Sequence, residues 1–231
     1  MKTILVTGGT RGIGLAIAQA FQKKGYRVVV TYSKDEKSAN LAKEQGLEVF
    51  RADVSKEDEV VVLIKQIGRV DVLVNNAGVS LIKQLQDVTY EEYKRVMDVN
   101  VGGAFLCSRE VVKGMIDRQS GLIVNISSIW GEVGGSCESI YSASKSALIG
   151  FTKALSKELG YSGIRVNCIS PGVIDTPMNA HFTTEEITCI KEEIPMGRLG
   201  LGEDVAKAVL YLEENDYVTG IDLPVNGGFG Q

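Results

Sequence analysis

Short apolar runs alternate along the chain with longer segments of helical period. Thr3–Val6, Arg27–Thr31, Glu48–Arg51, Val70–Val74, Leu122–Ile126, Arg165–Ile169 and Val218–Pro224 read as strands. Between them Gly12–Lys24, Glu36–Glu44, Lys56–Gln66, Ile140–Leu159, Thr183–Glu193 and Gly202–Leu212 read as helices. Tyr90–Arg118 reads as one long helical segment, broken only at Gly102-Gly103 and Gly114. Ile13, Ile17, Ala20 and Phe21 share a face of the first helix, and Ser55 is the expected cap of the third. Val28–Val30, Val72–Val74 and Leu122–Ile126 are apolar without alternation, the pattern of strands covered on both faces. Strict strand–helix alternation predicts an α/β protein with a doubly wound parallel sheet. No linker, repeat or low-complexity tract interrupts residues 1–231, so one domain is expected.

Composition narrows the function. The 231 residues are 44% hydrophobic and 23% charged, an ordinary globular balance. Lys and Arg number 25 against 29 Asp and Glu, and no basic run occurs, which argues against a nucleic-acid binder. The single histidine, His181, argues against a multi-histidine metal site and a Ser-His-Asp hydrolase, so no metal is expected. Cys107, Cys137, Cys168 and Cys189 form no CxxC pair and read as free thiols in a reducing, cytoplasmic setting. Neither a signal-peptide apolar region nor a membrane-spanning run is present, so no membrane association is expected.

The candidate chemistry sits just after the strands. Thr7-Gly8-Gly9-Thr10-Arg11-Gly12-Ile13-Gly14 joins the first strand to the first helix. Glycines there allow a tight turn and let a pyrophosphate approach the helix N-terminus. The second strand ends Thr31-Tyr32-Ser33-Lys34, with no carboxylate before Asp35 to take a ribose 2′-hydroxyl. Arg11 with Ser33 and Lys34 instead suits a 2′-phosphate, which points to NADP(H). Asp53-Val54 and Asn75-Asn76-Ala77-Gly78 end two further strands, and their small residues leave room for a flat ligand. Tyr141 and Lys145 share one helix face, where an ammonium would favour the phenolate. Ser128, just past an apolar strand, could hydrogen-bond a carbonyl oxygen, and Asn100 is an amide in the middle of a helical segment, where it could bind water.

Together these pieces resemble the short-chain dehydrogenase/reductase family: TGGTRGIG at 7–14, DV at 53–54, NNAG at 75–78, Asn100, NISS ending at Ser128, YSASK at 141–145 and SPGVIDTPM at 170–178. The resemblance spans the chain in order. It implies a Rossmann-type sheet of seven parallel strands, flanked by helices on both faces and binding NAD(P). By the same resemblance, Tyr141 is the general acid/base, Ser128 orients the substrate carbonyl, Lys145 holds the nicotinamide ribose, and Asn100 supports a water relay. Asn76 is expected beside the cofactor, and Pro171, Gly172, Val173, Ile174 and Thr176 to close on it.

Within the family the chain is similar to the group that reduces 3-oxoacyl units on acyl carrier protein, through Ile194–Gly200, Glu203–Ala206 and Val225–Gly228. The implied reaction takes a small carbonyl substrate to a 3-hydroxyacyl product. Alternatives are an NADP-linked dehydrogenase of a small alcohol, polyol or sugar, and a nicotinamide-binding sensor without turnover. Basic residues at the active-site mouth would steer an acidic carrier protein. The aligned positions carry Gln119 and Ser162, with Arg118 and Arg165 nearby, while Glu132 and Glu138 add negative charge. Val173–Arg198, with Met178, His181, Phe182 and Met196, is the expected substrate lid. A homotetramer or homodimer is expected through the two long helices, with Phe105, Val112, Leu148, Phe151 and Leu155 as the candidate buried face.

Overall fold

The computed structural model describes residues 1–179 and 182–230. Seven strands among them form one parallel sheet: β1 (Thr3–Val6), β2 (Arg27–Tyr32), β3 (Glu48–Arg51), β4 (Val72–Asn75), β5 (Gly121–Ile126), β6 (Ile164–Pro171) and β7 (Asp222–Val225). Their order in space is β3-β2-β1-β4-β5-β6-β7. The chain therefore winds outward from β1 to β3, returns to pair β4 with β1, and winds the other way. Parallel strands need long crossovers, and helices supply them: α1 (Gly12–Lys23), α2 (Glu36–Glu44), α3 (Glu57–Ile67), α4 (Tyr90–Met97), α5 (Gly103–Asp117), α6 (Ile129–Val133), α7 (Ser139–Leu159), α8 (Thr184–Glu193) and α9 (Gly202–Glu214).

The unalternating strands are covered on both faces. Ile4, Val6, Val28, Val30, Val72 and Val74 pack on one side with Ile17 and Phe21 of α1 and Val205, Val209 and Leu212 of α9. Leu5, Val29, Leu73, Ile123 and Val166 pack on the other with Val60 and Leu63 of α3 and Val111 and Met115 of α5. Each such fully buried side chain contributes about 1.5–3 kcal/mol of transfer free energy. Helices α1 and α9 lie close because Gly202 faces Ala16, where an added Cβ would come within 2.8 Å of the alanine methyl.

Several expected boundaries shift. The segment 90–118 is two α-helices joined by a wider π-helical turn, Asp98–Gly102, and Gly114 does not interrupt α5. The last strand begins at Asp222, not Val218. The Val218 carbonyl is taken by side chains of Arg165 and Asn167, and Gly220 adopts φ +77°, so the chain cannot pair regularly there. Helix α3 starts after Lys56, and Ser55 does not cap it. The Ser55 N–H and hydroxyl turn back onto Asp53 Oδ1 (3.1 and 2.7 Å), and Glu57, Asp58 and Glu59 supply the favourable charge at that helix end. Helix α6 was not expected, since five residues are too few to show a period.

No described helix is long and apolar enough to cross a membrane. Leu148, expected at a subunit interface, is 2% exposed and belongs to the chain's own core. Val112 and Leu155 pack partly on that core too, whereas Phe105 is 47% exposed.

Candidate active site

A cleft of about 530 Å³ opens where the strand order reverses, at the carboxyl ends of β1 to β4. That size and place suit a bound cofactor in such a sheet. Helix α1 points its N-terminus at the cleft. It has no side-chain cap and no acidic residue in its first turn, unlike α2, α4 and α8, which have both. Its free N–H groups and positive dipole end are thus left for an anion.

The glycine loop is shaped by contacts that exclude side chains. Gly8 and Gly12 sit at φ +62° and +55°. A Cβ on Gly14 would lie 2.5 Å from the Gly8 carbonyl oxygen and 2.6 Å from Asn76 Nδ2. Asn76 fastens the loop, donating from Nδ2 to the Thr7 and Gly8 carbonyls (2.9 and 3.1 Å). The N–H groups of Asn76 and Ala77 both donate to Thr7 Oγ1. So Asn76 holds the loop through its side chain, beside the place expected for a cofactor.

Of the expected cofactor set, Gly8, Thr10, Arg11, Gly12, Ile13, Gly14, Ser33, Asp53, Val54, Asn76, Ala77, Gly78 and Thr176 line the cleft. Pro171, Gly172, Val173 and Ile174 lie outside it. Gly172 is pressed against Asn226, Val173 joins an apolar cluster with Ile129, Ile194 and Phe229, and Ile174 is 3% exposed in the core. Arg95, Asp98 and Val99 line the cleft without having been expected, because residues inside a helical segment carry no turn signal.

At the far end of β2, Arg11 Nη1 lies 3.7 Å from Asp35 Oδ2. Asp35 is already engaged as the cap of α2, accepting from the Ser38 N–H and hydroxyl (3.0 and 2.8 Å), and these bonds hold its carboxyl below the usual range. Arg51, also unexpected, donates from Nε to the Ser33 carbonyl (3.3 Å) and steadies that corner. The neutral Ser33 edge flanked by Arg11 and Lys34, the glycine cradle and the uncapped helix end all fit a nicotinamide dinucleotide.

Beyond Gly78 the cleft meets the catalytic candidates. A Cβ there would lie 3.3 Å from Asn100 Oδ1 and 3.5 Å from Lys145 Nζ, so the glycine leaves open the path between cleft and lysine. Ser128 caps α6 in extended backbone, its Oγ accepting from the Trp130 N–H (3.2 Å). Tyr141 and Lys145 are buried on the inner face of α7, and Ser128 is near enough to act on the Tyr141 phenol. Lys145 Nζ donates to the Ile126 carbonyl (2.8 Å) and lies 5.6 Å from the centre of the Tyr141 ring.

The electrostatics differ from the sequence expectation. Burial pushes the Tyr141 phenol up to about 12, against the pull of Ser128 and with a small push from Glu138. Burial also brings the Lys145 ammonium down to about 8. The ammonium points at a backbone carbonyl rather than at the phenol oxygen, so desolvation outweighs the expected lowering of the tyrosine. Asn100 is engaged on both sides of its amide, with Oδ1 accepting from the Val79 N–H (2.8 Å) and Nδ2 donating to the Val79 carbonyl and Ser144 Oγ (3.0 Å each). The side chain ties the loop after β4 to α7.

Two charge arguments also change. Gln119 and Ser162 lie before β5 and β6, at the opposite end of the sheet from Ser128 and Tyr141, so they do not flank this chain's active-site mouth. Desolvation and the nearby Asp222 charge push the Glu132 carboxyl above its usual range. His181 lies outside the described residues. Cys107 and Cys168 are buried, while Cys137 and Cys189 are exposed, all as free thiols.

Known proteins resemble the chain over nearly its whole length. A family model described as Enoyl-(Acyl carrier protein) reductase matches residues 8–230. The uncharacterized oxidoreductase YmfI of Bacillus subtilis is 38% identical over 99% of this chain and 98% of its own. A 3-oxoacyl-[acyl-carrier-protein] reductase of Chlamydia muridarum is 41% identical over 98% of this chain and 96% of its own. The crystal structure of 3-oxoacyl-[acyl-carrier protein] reductase from Brucella melitensis superposes with a TM-score of 0.93 at 37% identity, covering 100% of this chain and 91% of that one. By these matches over nearly its whole length, the chain belongs to the short-chain dehydrogenase/reductase family and is an NAD(P)-dependent oxidoreductase.

Proposed function

We propose that the protein uses NADPH to reduce a ketone to a secondary alcohol, and that its substrate is a 3-oxoacyl group on acyl carrier protein, as in fatty-acid synthesis. The observation that carries this reading is the convergence of Ser128, Tyr141 and Lys145 at the end of the glycine-lined cleft. When bound, the nicotinamide supplies the hydride equivalent to the carbonyl carbon. Ser128 donates its hydroxyl hydrogen bond to the carbonyl oxygen. The Tyr141 phenol, neutral at every physiological pH with its value near 12, donates the proton that oxygen needs. Lys145, protonated below about pH 8, would hold the cofactor ribose past Gly78.

Arg11 and Ser33 support NADPH over NADH, since a guanidinium and a hydroxyl suit a phosphate and the nearby Asp35 is already bound as a cap. Residues 173–198 serve as the substrate lid within a single domain. The protein works in the cytoplasm as a homotetramer or homodimer, with the exposed Phe105 of α5 at the contact. The direct test follows nicotinamide absorbance with acetoacetyl-CoA as the surrogate thioester and NADH run in parallel. Oxidation of NADPH with little of NADH is expected. Cofactor binding without thioester turnover would overturn the 3-oxoacyl assignment.

A further inference from the structure

A small apolar cluster stands apart from the packing on the two faces of the sheet. Its buried members Ile129, Ile194 and Phe229 come from α6, from the segment after α8 and from the turn that follows β7. Trp130, Val173, Ile190 and Leu199 pack against them. The Phe229 ring meets the Trp130 ring edge-on, with centres 5.7 Å apart and planes at 69°. The turn lies between the other two segments. A Cβ on Gly228 would lie 2.8 Å from Pro195 Cγ, and one on Gly230 would lie 3.0 Å from Ile129 Cγ1. The Met196 N–H donates to the Gly227 carbonyl (3.1 Å).

The turn is braced where it presents Phe229. Asn226 Nδ2 donates to the Phe229 carbonyl and Asn226 Oδ1 accepts from the Gly228 N–H (3.0 Å each), while the Phe229 N–H donates to the Asn226 carbonyl (3.1 Å). Across the ring, the link to the active site is short. The Trp130 N–H donates to Ser128 Oγ (3.2 Å), a bond that uses a lone pair of the serine and not its hydrogen. We propose that Phe229 is a positioning residue for the reaction. It fixes Trp130, and through it Ser128, on one side and residues 190–199 on the other, so the turn 226–230 couples the substrate wall to the group that meets the carbonyl.

Location separates this role from cofactor binding. Among the described residues that line the cleft at the ends of β1 to β4, none comes from the turn 226–230. Phe229 is 9% exposed, so its ring meets protein and acts through Trp130 and Ile194. Losing the ring should disturb how the substrate is held and spare the cofactor seat, which Asn76 and Thr7 pin by bonds of their own.

This role rests on the proposed reading of Ser128 as the carbonyl donor and of residues 173–198 as the substrate lid. The test compares wild type, Phe229→Ala and Phe229→Leu, each assayed well below its melting temperature. For acetoacetyl-CoA, kcat/KM should fall on the order of 10- to 100-fold in Phe229→Ala, the scale of a small misplacement at the reacting centre. It should recover in large part in Phe229→Leu, which refills the site with apolar volume. NADPH affinity, read by nicotinamide fluorescence, should stay near the wild-type value in both. Two further readouts need no turnover. Trp130 is the chain's single tryptophan, so acrylamide quenching reports on α6 alone and should rise in Phe229→Ala. Tryptic cleavage after the exposed Lys191 of α8 should quicken in the same variant. Unchanged kcat/KM in Phe229→Ala would overturn the role, as would parallel losses of kcat/KM and NADPH affinity in both variants, the mark of a general loss of fold. Unchanged quenching and cleavage would overturn the coupling whatever the substrate. Altered quenching and cleavage in a protein whose wild type turns over no carbonyl would leave the coupling standing and overturn the proposed function instead.

Discussion

The two walls of the site are built differently. On the cofactor side, the turn after β1 is pinned by backbone and amide bonds from Asn76 and Thr7, and its glycines touch backbone on several sides. On the substrate side, α8 contains no buried residue, and Met178 and Met196 are 47% and 67% exposed. Ile190 and Ile194 tie that segment to Ile129, Trp130 and Phe229, and the Met196 N–H donates to the Gly227 carbonyl. A dinucleotide has the same shape for every member of a family, so its seat can be rigid. The wall proposed to select a substrate has no buried residue in α8, so it can change at little cost to the fold.

Substitutions can break that contrast in order of expected size. Tyr141→Phe removes the proton donor and should lower turnover by about two to three decades or more while nicotinamide binding, followed by fluorescence, survives. Turnover close to wild type would sink the mechanism. Gly14→Ala should cost about 1–3 kcal/mol of stability, measured by denaturant unfolding, and should also weaken cofactor binding, since its Cβ meets backbone. Gly150→Ala is its control: nothing lies within 4 Å of that site on α7, so the same change should stabilise by up to about 1 kcal/mol. Equal effects at the two glycines would erase the distinction between a seat and a surface.

Lys145→Met should abolish most activity yet stabilise the fold at pH 7 by about 2 kcal/mol, because burial lowers the ammonium to about 8. The sign follows from proton binding. Between about pH 8 and 10.5 the unfolded chain holds the extra proton, so the wild type gains stability as pH rises and the advantage of the variant should fade there. A variant less stable at pH 7 would show that the bond from Nζ to the Ile126 carbonyl outweighs desolvation. Arg11→Ala should cut the preference for NADPH over NADH by about 10-fold or more, the contribution of a hydrogen bond to a charged group, measured as a ratio of kcat/KM values. Ile190→Ala, on the loosely held wall, should change stability by no more than about 0.5 kcal/mol while altering KM. A large loss of stability there would mean that α8 is part of the core after all.

Legibility in the sequence followed the range of the interactions involved. The glycine loop, the NNAG turn and the Tyr141–Lys145 pair were readable because spacing along one strand end or helix face places such residues without help from elsewhere. The packing of Gly172 on Asn226 and of Val173 beside Ile194 was not readable, since those partners come from distant parts of the chain. The commitment of Asn100 to Val79 and Ser144 was hidden for the same reason.

Alternating apolar strands and amphipathic helices determined the parallel sheet by themselves, because a strand buried on both faces and a helix buried on one leave few other ways to hide their apolar surface. The same chain order placed the ligand turns at the carboxyl ends of the strands. Protonation and partnership were decided only in the tertiary structure. The high phenol of Tyr141 and the lowered ammonium of Lys145 arise from water removed by packing that long stretches of chain bring together.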